Sequence, residues 1–88
     1  MLMMTEEAAG YLVGLLDNAN AAEETVIRFV LDGNTLTPTL DQARPGDATF
    51  DHAGKKVLVL DAQVSQVLAE STLDVQTTEE GPKLVLLH

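Results

Sequence analysis

The sequence predicts one small α+β domain, residues 1–88, that is rich in β-structure, with a mixed or antiparallel arrangement of strands. An N-terminal helix and a short second helix after the fourth strand complete it. Three observations predict this class: an apolar stripe with helical spacing at the start, later segments of period two separated by turn residues, and no regular crossover helices between those segments. The 88 residues are 45% hydrophobic, which is enough for one core and leaves no room for a second domain.

The first element is a helix with an apolar stripe at positions i, i+4, i+7, i+8 and i+11. The stripe consists of Ala8, Leu12, Leu15, Leu16 and Ala19. Thr5 is predicted as its N-cap, because a threonine hydroxyl accepts from free N–H groups of the first turn. The polar stretch Asp17-Asn18-Ala19-Asn20 is predicted to end the helix.

The next segment, Thr25–Leu31, changes to a period of two and is predicted as a largely buried strand. Asp32-Gly33-Asn34 is a strong turn signal. Leu36 and Leu40 then alternate with threonines in a second strand. Pro38 confines that strand to a sheet edge, because proline has no N–H to donate to a neighbouring strand.

The middle of the chain predicts a hairpin. A loop at Arg44-Pro45-Gly46-Asp47 precedes a third strand at Ala48–Asp51, and the turn His52-Ala53-Gly54-Lys55 leads to a fourth strand at Lys56–Leu60. The run Val57–Leu60 has no polar break, and a strand that is apolar on both faces belongs in the middle of a fold.

Asp61 is predicted to cap a second helix from Ala62 to about Glu70, with Val64, Val67 and Leu68 facing inward. So short a helix must be held by packing rather than by helix propensity.

The last two predicted strands are Thr72–Thr77 and Lys83–Leu87. They are joined through Glu79-Glu80-Gly81-Pro82, which is rich in turn-forming residues.

In order and spacing these elements resemble the HesB-like family of A-type iron–sulfur carrier proteins. The segment from Gly46-Asp47-Ala48-Thr49-Phe50-Asp51 to Val57-Leu58-Val59-Leu60-Asp61 is similar to the family's central hairpin, and Leu68 with Thr72-Leu73-Asp74-Val75 is similar to its next strand. The Thr5-Glu6-Glu7-Ala8-Ala9 helix start and the Val26-Ile27-Arg28-Phe29 strand also fit. The resemblance covers nearly the whole chain and implies a HesB-like β-sandwich type of α+β fold.

The sequence differs from the HesB-like family in its lack of cysteine. The resemblance implies one cysteine in the loop after the first strands and a Cys-x-Cys pair near the C-terminus, but the sequence contains none. The corresponding loop reads Asp32-Gly33-Asn34-Thr35-Leu36-Thr37-Pro38, and the sequence ends at His88 before such a pair. Iron–sulfur clusters are held mainly by thiolates. We therefore expect no cluster cofactor and a non-enzymatic, protein-binding or regulatory role.

The chain is strongly acidic, with 5 Lys and Arg against 14 Asp and Glu and a net charge of -9. This charge repels phosphate backbones and anionic membranes, so neither nucleic acid nor a membrane is expected as a partner. No apolar run approaches the roughly 18 residues of a membrane span. The apolar start meets Glu6 and Glu7 before a signal-peptide core develops, so we expect a cytoplasmic protein.

An alternative function is a carboxylate and histidine metal site, such as that of an iron donor. Asp47, Asp51 and His52 are close in sequence and have side chains that bind divalent metals. On the predicted strand Asp51 and His52 point to opposite faces, which opposes a shared site. The other interpretation is an acidic, solvated hairpin. His88, as the terminal residue, is expected to carry no function.

No pattern in the sequence predicts an enzyme. Ser65 and Ser71 have no neighbouring base or nucleophile elbow, and the glycines are too dispersed for a phosphate-binding loop. The acidic pairs Glu6-Glu7, Glu23-Glu24 and Glu79-Glu80 predict either a solvated surface or a face that docks a basic protein, for example one from iron–sulfur assembly. Association of two copies through acidic faces is disfavoured, whereas an apolar sheet edge could still pair.

Overall fold

The computed structural model describes residues 2–20, 22–33 and 35–87. The predictions for Met1 as part of the apolar start, for Asn34 in a turn and for His88 as a residue without function lie outside these residues.

Two helices and seven strands form within the described part of the chain. In chain order they are β1 (Met3–Met4), α1 (Glu6–Asn18), β2 (Val26–Asp32), β3 (Thr35–Asp41), β4 (Ala48–His52), β5 (Lys55–Leu60), α2 (Ala62–Val67), β6 (Thr72–Thr78) and β7 (Gly81–Leu87). The predicted α+β class, with an N-terminal helix and a short second helix, is confirmed.

The strands form two sheets, with the order β3-β2-β5-β4 in one and β1-β6-β7 in the other. Strands β2 and β5 are parallel, and so are β1 and β6, whereas the remaining neighbours are antiparallel. The arrangement is therefore mixed. Pro38 lies on the edge strand β3, as predicted.

Strand β1 was not predicted from the sequence. Met3 lies opposite Thr72 in a parallel pairing with β6. The Met3 N–H donates to the Ser71 carbonyl, and the Thr5 N–H donates to the Leu73 carbonyl, each at 3.0 Å. A two-residue strand is too short to show a period, so only its distant partner defines it.

Helix α1 begins as predicted, at the Thr5 cap. The Thr5 Oγ1 accepts from the Ala8 N–H at 3.2 Å and donates to Asp74 Oδ1 at 2.8 Å, which attaches the helix start to β6. Ala8, Leu12 and Leu16 of the predicted stripe are buried, and Leu15 is half-buried. Ala19 is exposed, contrary to prediction, because the helix ends at Asn18 and Ala19 is its C-cap.

The core lies around β5, whose residues Val57–Leu60 are all fully buried. This strand lies between β2 and β4, which confirms its predicted central position. Leu12 from α1, Val64 from α2 and Leu73 from β6 belong to the same apolar cluster. Both helices and both sheets therefore share one core.

Helix α2 is shorter than predicted and ends at Val67 rather than near Glu70. Asp61 caps it, since its Oδ1 accepts from the Val64 N–H at 2.8 Å. Val64 and Leu68 are buried, but Val67, also predicted to face inward, is 57% exposed. Val64 and Leu68 are four residues apart and share one face, whereas neighbouring residues of a helix are turned by about 100°.

Neither helix in the described part of the chain is long and apolar enough to cross a membrane.

Candidate functional site

The three candidate metal ligands lie beside or within β4. Asp47 precedes the strand, and its side chain is only 5% exposed. Asp51 is exposed and His52 is half-buried, with an irregularity in the pairing between Phe50 and Asp51. In residues 2–20, 22–33 and 35–87, no group of three or more His, Asp or Glu side chains is placed to hold a metal ion. The proposed metal role of these residues stays a prediction.

Asp47 instead forms an ion pair with Arg28, a buried cation of β2. Arg28 is 6% exposed, and all three nitrogens of its guanidinium group donate hydrogen bonds. Its Nη1 and Nη2 donate to the two carboxylate oxygens of Asp47, with Nη1 to Oδ1 at 3.2 Å. Its Nε donates to Asp41 Oδ2 at 2.8 Å, and Nη2 also donates to the Gln42 carbonyl at 3.1 Å. Such forked contacts are the strong form of an arginine–carboxylate pair.

Arg44 completes this network from the loop between β3 and β4. Its N–H donates to Asp47 Oδ2 at 2.8 Å, and its carbonyl accepts from the Asp47 N–H at 3.1 Å. Its exposed Nη2 donates to Asp41 Oδ2 at 3.1 Å. Two arginines thus meet two aspartates, and the network as a whole is neutral. It connects β2, the end of β3 and the residue before β4.

The network shifts the pKa values of its members. The hydrogen bonds from Arg28 lower the pKa of Asp47 below its ordinary value, although burial acts in the opposite direction. The pKa of Asp41 is also lowered, first by the N–H of Gln42 and also by Arg28. The pKa of Arg28 is raised, first by its hydrogen bond to Asp47. Both carboxylates are therefore ionised at neutral pH and stabilise the loop.

This network was not predicted from the sequence. Its only sequence signal is a lone arginine, Arg28, inside a strand that otherwise reads as apolar. A buried arginine needs a carboxylate partner. Asp41 and Asp47, which follow the turn between β2 and β3, are candidates for that partner in the sequence.

An apolar groove of about 380 Å³ lies between the edge strands of the two sheets. Leu36 and Pro38 of β3 line it together with residues 83–86 of β7, and Tyr11 and Leu15 of α1 also contribute. Volumes of this size are typical of binding clefts.

The base of the groove is formed by core residues and its rim carries one charged side chain. Phe29 and Leu73 are almost completely buried and form the base. Lys83 is the charged residue of the lining. It makes no ion pair with any residue in the described part of the chain. The groove was not predicted, because its lining comes from five elements that are far apart in sequence.

The groove includes part of the segment from Asp32 to Pro38, where the resemblance to the HesB-like family implied a cysteine. That segment forms the β2–β3 hairpin, where Asp32 lies opposite Thr35 and Gly33 has a φ of +60°. Leu36 and Pro38 from the same segment face the groove. Where the resemblance implies a thiolate, this chain has an aspartate, a glycine and threonines followed by an apolar wall.

Several solved structures have a similar fold, and two of them are of proteins whose descriptions mention iron–sulfur clusters. Escherichia coli SufA, involved in the biosynthesis of iron–sulfur clusters, matches with a TM-score of 0.71 and 19% identity, covering 97% of this chain and 82% of SufA. IscA, in a structure with a [2Fe-2S] cluster, matches with a TM-score of 0.62 and 15% identity over 98% of this chain and 80% of IscA.

A protein from Aquifex aeolicus, solved by solution NMR, also matches, with a TM-score of 0.66 and 19% identity over 99% of this chain and 90% of that protein. No protein-family model matches the chain, and no curated protein matches it in sequence. At these identities the likeness shows the fold. The chain therefore has the fold of SufA and IscA, as the resemblance to the HesB-like family implied, and it has this fold without a single cysteine.

Proposed function

We propose that this chain is a non-enzymatic domain that binds another protein and regulates or assists iron–sulfur assembly without carrying a cluster itself. One observation carries the proposal: the fold of SufA and IscA in a chain with no cysteine. Iron–sulfur clusters are held mainly by thiolates, with histidine as a partial substitute. A chain that has this fold without thiolates still presents a folded surface through which it can bind another protein.

The charged groups of the chain support a binding role. The buried ionisable groups, Arg28 and Asp47, satisfy each other and hold a loop, which is a structural use. Acidic side chains outnumber basic ones in the rest of the chain, and the net charge of the whole chain is -9. Such a field attracts basic proteins and repels nucleic acid and anionic membranes, so we place the partner among cytoplasmic proteins with a basic surface.

Anaerobic reconstitution tests the first half of the proposal. The purified chain and IscA are each incubated with iron and sulfide under reducing conditions, desalted, and compared by visible absorption and iron content. IscA should retain its cluster, and this chain should return to its iron-free spectrum. A stable, stoichiometric cluster on this chain would contradict the proposal.

A genetic measurement tests the second half. Cells that lack the protein are compared with parent cells for the activity of several iron–sulfur enzymes and of enzymes without a cluster. We expect a loss confined to the iron–sulfur enzymes and restored by the intact gene. Equal activities in both strains would show that the protein has no role in this assembly.

A further inference from the structure

Strand β7 is an open sheet edge. It pairs with β6 over seven positions, from Thr72 opposite Leu87 to Thr78 opposite Gly81. No other strand of the described residues pairs with its far side. An open edge presents alternate N–H and C=O groups that an extended peptide can pair with. From Lys83 to Leu87 the strand contains no proline, so every donor on that stretch is intact.

The strand across the groove is less suited to pairing. Strand β3 is also an edge, but Pro38 has no N–H and interrupts its donors. Its contribution to the groove is apolar surface, from Leu36 and Pro38. The groove thus has one wall that can form backbone hydrogen bonds and one wall that can pack side chains.

This geometry fits an extended peptide better than a compact ligand. The side chains of a strand alternate between its two faces, so a peptide beside β7 would bury every second side chain against Phe29 and Leu73 and leave the others in water.

The positive charge of Lys83 favours extended peptides that contain a carboxylate. Lys83 is the charged side chain of the lining in a chain that carries nine surplus negative charges, and it is without an ion-pair partner among residues 2–20, 22–33 and 35–87. Glu79 and Glu80 lie near Lys83 but do not line the groove. A carboxylate on the outward-facing side of a bound peptide would therefore meet the ammonium group of Lys83 at the rim of the groove.

We propose that the groove binds an extended, apolar segment of a partner protein, which adds to β7 as a fourth strand of the β1-β6-β7 sheet and places a carboxylate beside Lys83. This site rests on the proposed protein-binding role and specifies where the partner binds. The partner's remaining surface can still be basic and match the overall negative charge.

Capped peptides with the sequences Glu-Val-Thr-Val-Thr-Val and Val-Thr-Val-Thr-Val-Glu serve as probes, because they cover both strand directions. Each is titrated into the ¹⁵N-labelled chain and followed by amide NMR shifts and hydrogen exchange. We expect saturable shifts in residues 83–87, with slower exchange at alternate amides of β7. Replacing Glu with Lys in the bound peptide should weaken binding about two- to fivefold, the effect of an exposed ion pair.

Two variants locate the site. Lys83→Glu should weaken the Glu peptide and favour the Lys peptide, whereas Lys55→Glu makes the same charge change on β5, outside the groove lining, and should leave that preference unchanged. Leu36→Asp should weaken both peptides, and its circular dichroism spectrum shows whether the fold is kept. Leu36→Met keeps an apolar wall and should bind like the parent.

Several outcomes would overturn the site. Peptide that does not bind at millimolar concentration would do so, as would chemical shift changes confined to residues away from β7. Equal effects of Lys83→Glu and Lys55→Glu on peptide binding would also do so. The last such outcome is a dimer, detected by light scattering, whose interface covers the groove. Cells carrying Lys83→Glu and Leu36→Asp separate this inference from the proposed function. If these cells keep normal iron–sulfur enzyme activity while cells without the protein lose it, the regulatory role stands and the groove is not the docking site.

Discussion

Arg28 and Asp47 form a forked, buried ion pair in which two guanidinium nitrogens donate to two carboxylate oxygens. The side chains are only 7% and 5% exposed. The pair joins two segments that carry the HesB-like resemblance, the Val26-Ile27-Arg28-Phe29 strand and the Gly46-Asp47 start of the central hairpin. The buried guanidinium group of Arg28 requires a carboxylate partner, and its ion pair with Asp47 holds the two segments together.

Asp47→Asn should lower the free energy of unfolding by about 2–4 kcal/mol, because it leaves Arg28 buried without its main counter-charge. Asp41 retains one ion pair with Arg28, so the loss should stay below that of a fully unpaired buried charge. Urea unfolding followed by circular dichroism measures the change.

Asp51→Asn is the matched control, since Asp51 is an exposed aspartate within β4, the strand that Asp47 precedes. It should change stability by less than about 0.5 kcal/mol. Equal effects of the two substitutions would mean that the ion pair does not stabilise the fold.

Acid should weaken the fold through the same carboxyl group. The pKa of Asp47 is lowered in the folded chain by Arg28 and returns to about 3.9 on unfolding. Its contribution is therefore complete above that unfolded value and is lost as pH falls towards the folded pKa, because the unfolded chain binds the proton first. The lowered pKa of Asp41 acts in the same direction.

In urea unfolding from about pH 6 to pH 3, the parent chain should lose stability steeply below about pH 4, and Asp47→Asn should lose it less steeply. Parallel curves for the two proteins would show that Asp47 titrates alike in the folded and unfolded chains.

The parts of the fold that could be predicted from the sequence depend on neighbouring residues. Thr5 and Asp61 cap the N–H groups three residues ahead, so each helix start is visible locally. Arg28 donates hydrogen bonds to aspartates that are 13 and 19 residues away in sequence. These side chains come together only after β2 and β3 have paired. Val67 was wrongly predicted to face inward because it is three residues from Val64, and only the packing shows that the buried face contains Val64 and Leu68 instead.

The candidate site was less predictable than the fold. Its groove combines Tyr11 of α1, Phe29 of β2, Leu36 of β3, Leu73 of β6 and Leu84 of β7. Each of these residues also reads as an ordinary core or edge residue. Their meeting depends on how the two sheets face each other, and no local pattern specifies that arrangement. The absence of cysteine, by contrast, was evident from composition and is the feature on which the proposed function depends.

Ala53→Asn should stabilise the turn between β4 and β5. Ala53 and Gly54 have φ values of +53° and +80°, the two consecutive positive values of a type I′ hairpin turn. Alanine in this region costs about 1 kcal/mol, whereas Asn-Gly is the preferred pair. We expect the free energy of unfolding to rise by about 0.5–1 kcal/mol.

Ala43→Asn provides the comparison for this turn, because Ala43 is an exposed loop residue without a positive φ. It should change stability by less than about 0.5 kcal/mol. A stability of Ala53→Asn at or below that of the parent would mean that the turn stores no such strain in solution.

Salt should stabilise this protein. Nine surplus negative charges on 88 residues repel one another in the compact state, and their separation falls within the screening range of ordinary salt. The Arg28 ion pair is buried and is screened much less than the surface charges. The midpoint of thermal unfolding should therefore rise between about 20 and 200 mM sodium chloride. Replacing Glu79 and Glu80 together with glutamine should reduce this dependence, because it removes two of the repelling charges. A midpoint that stays constant or falls with salt would show that attractive surface pairs outweigh the repulsion.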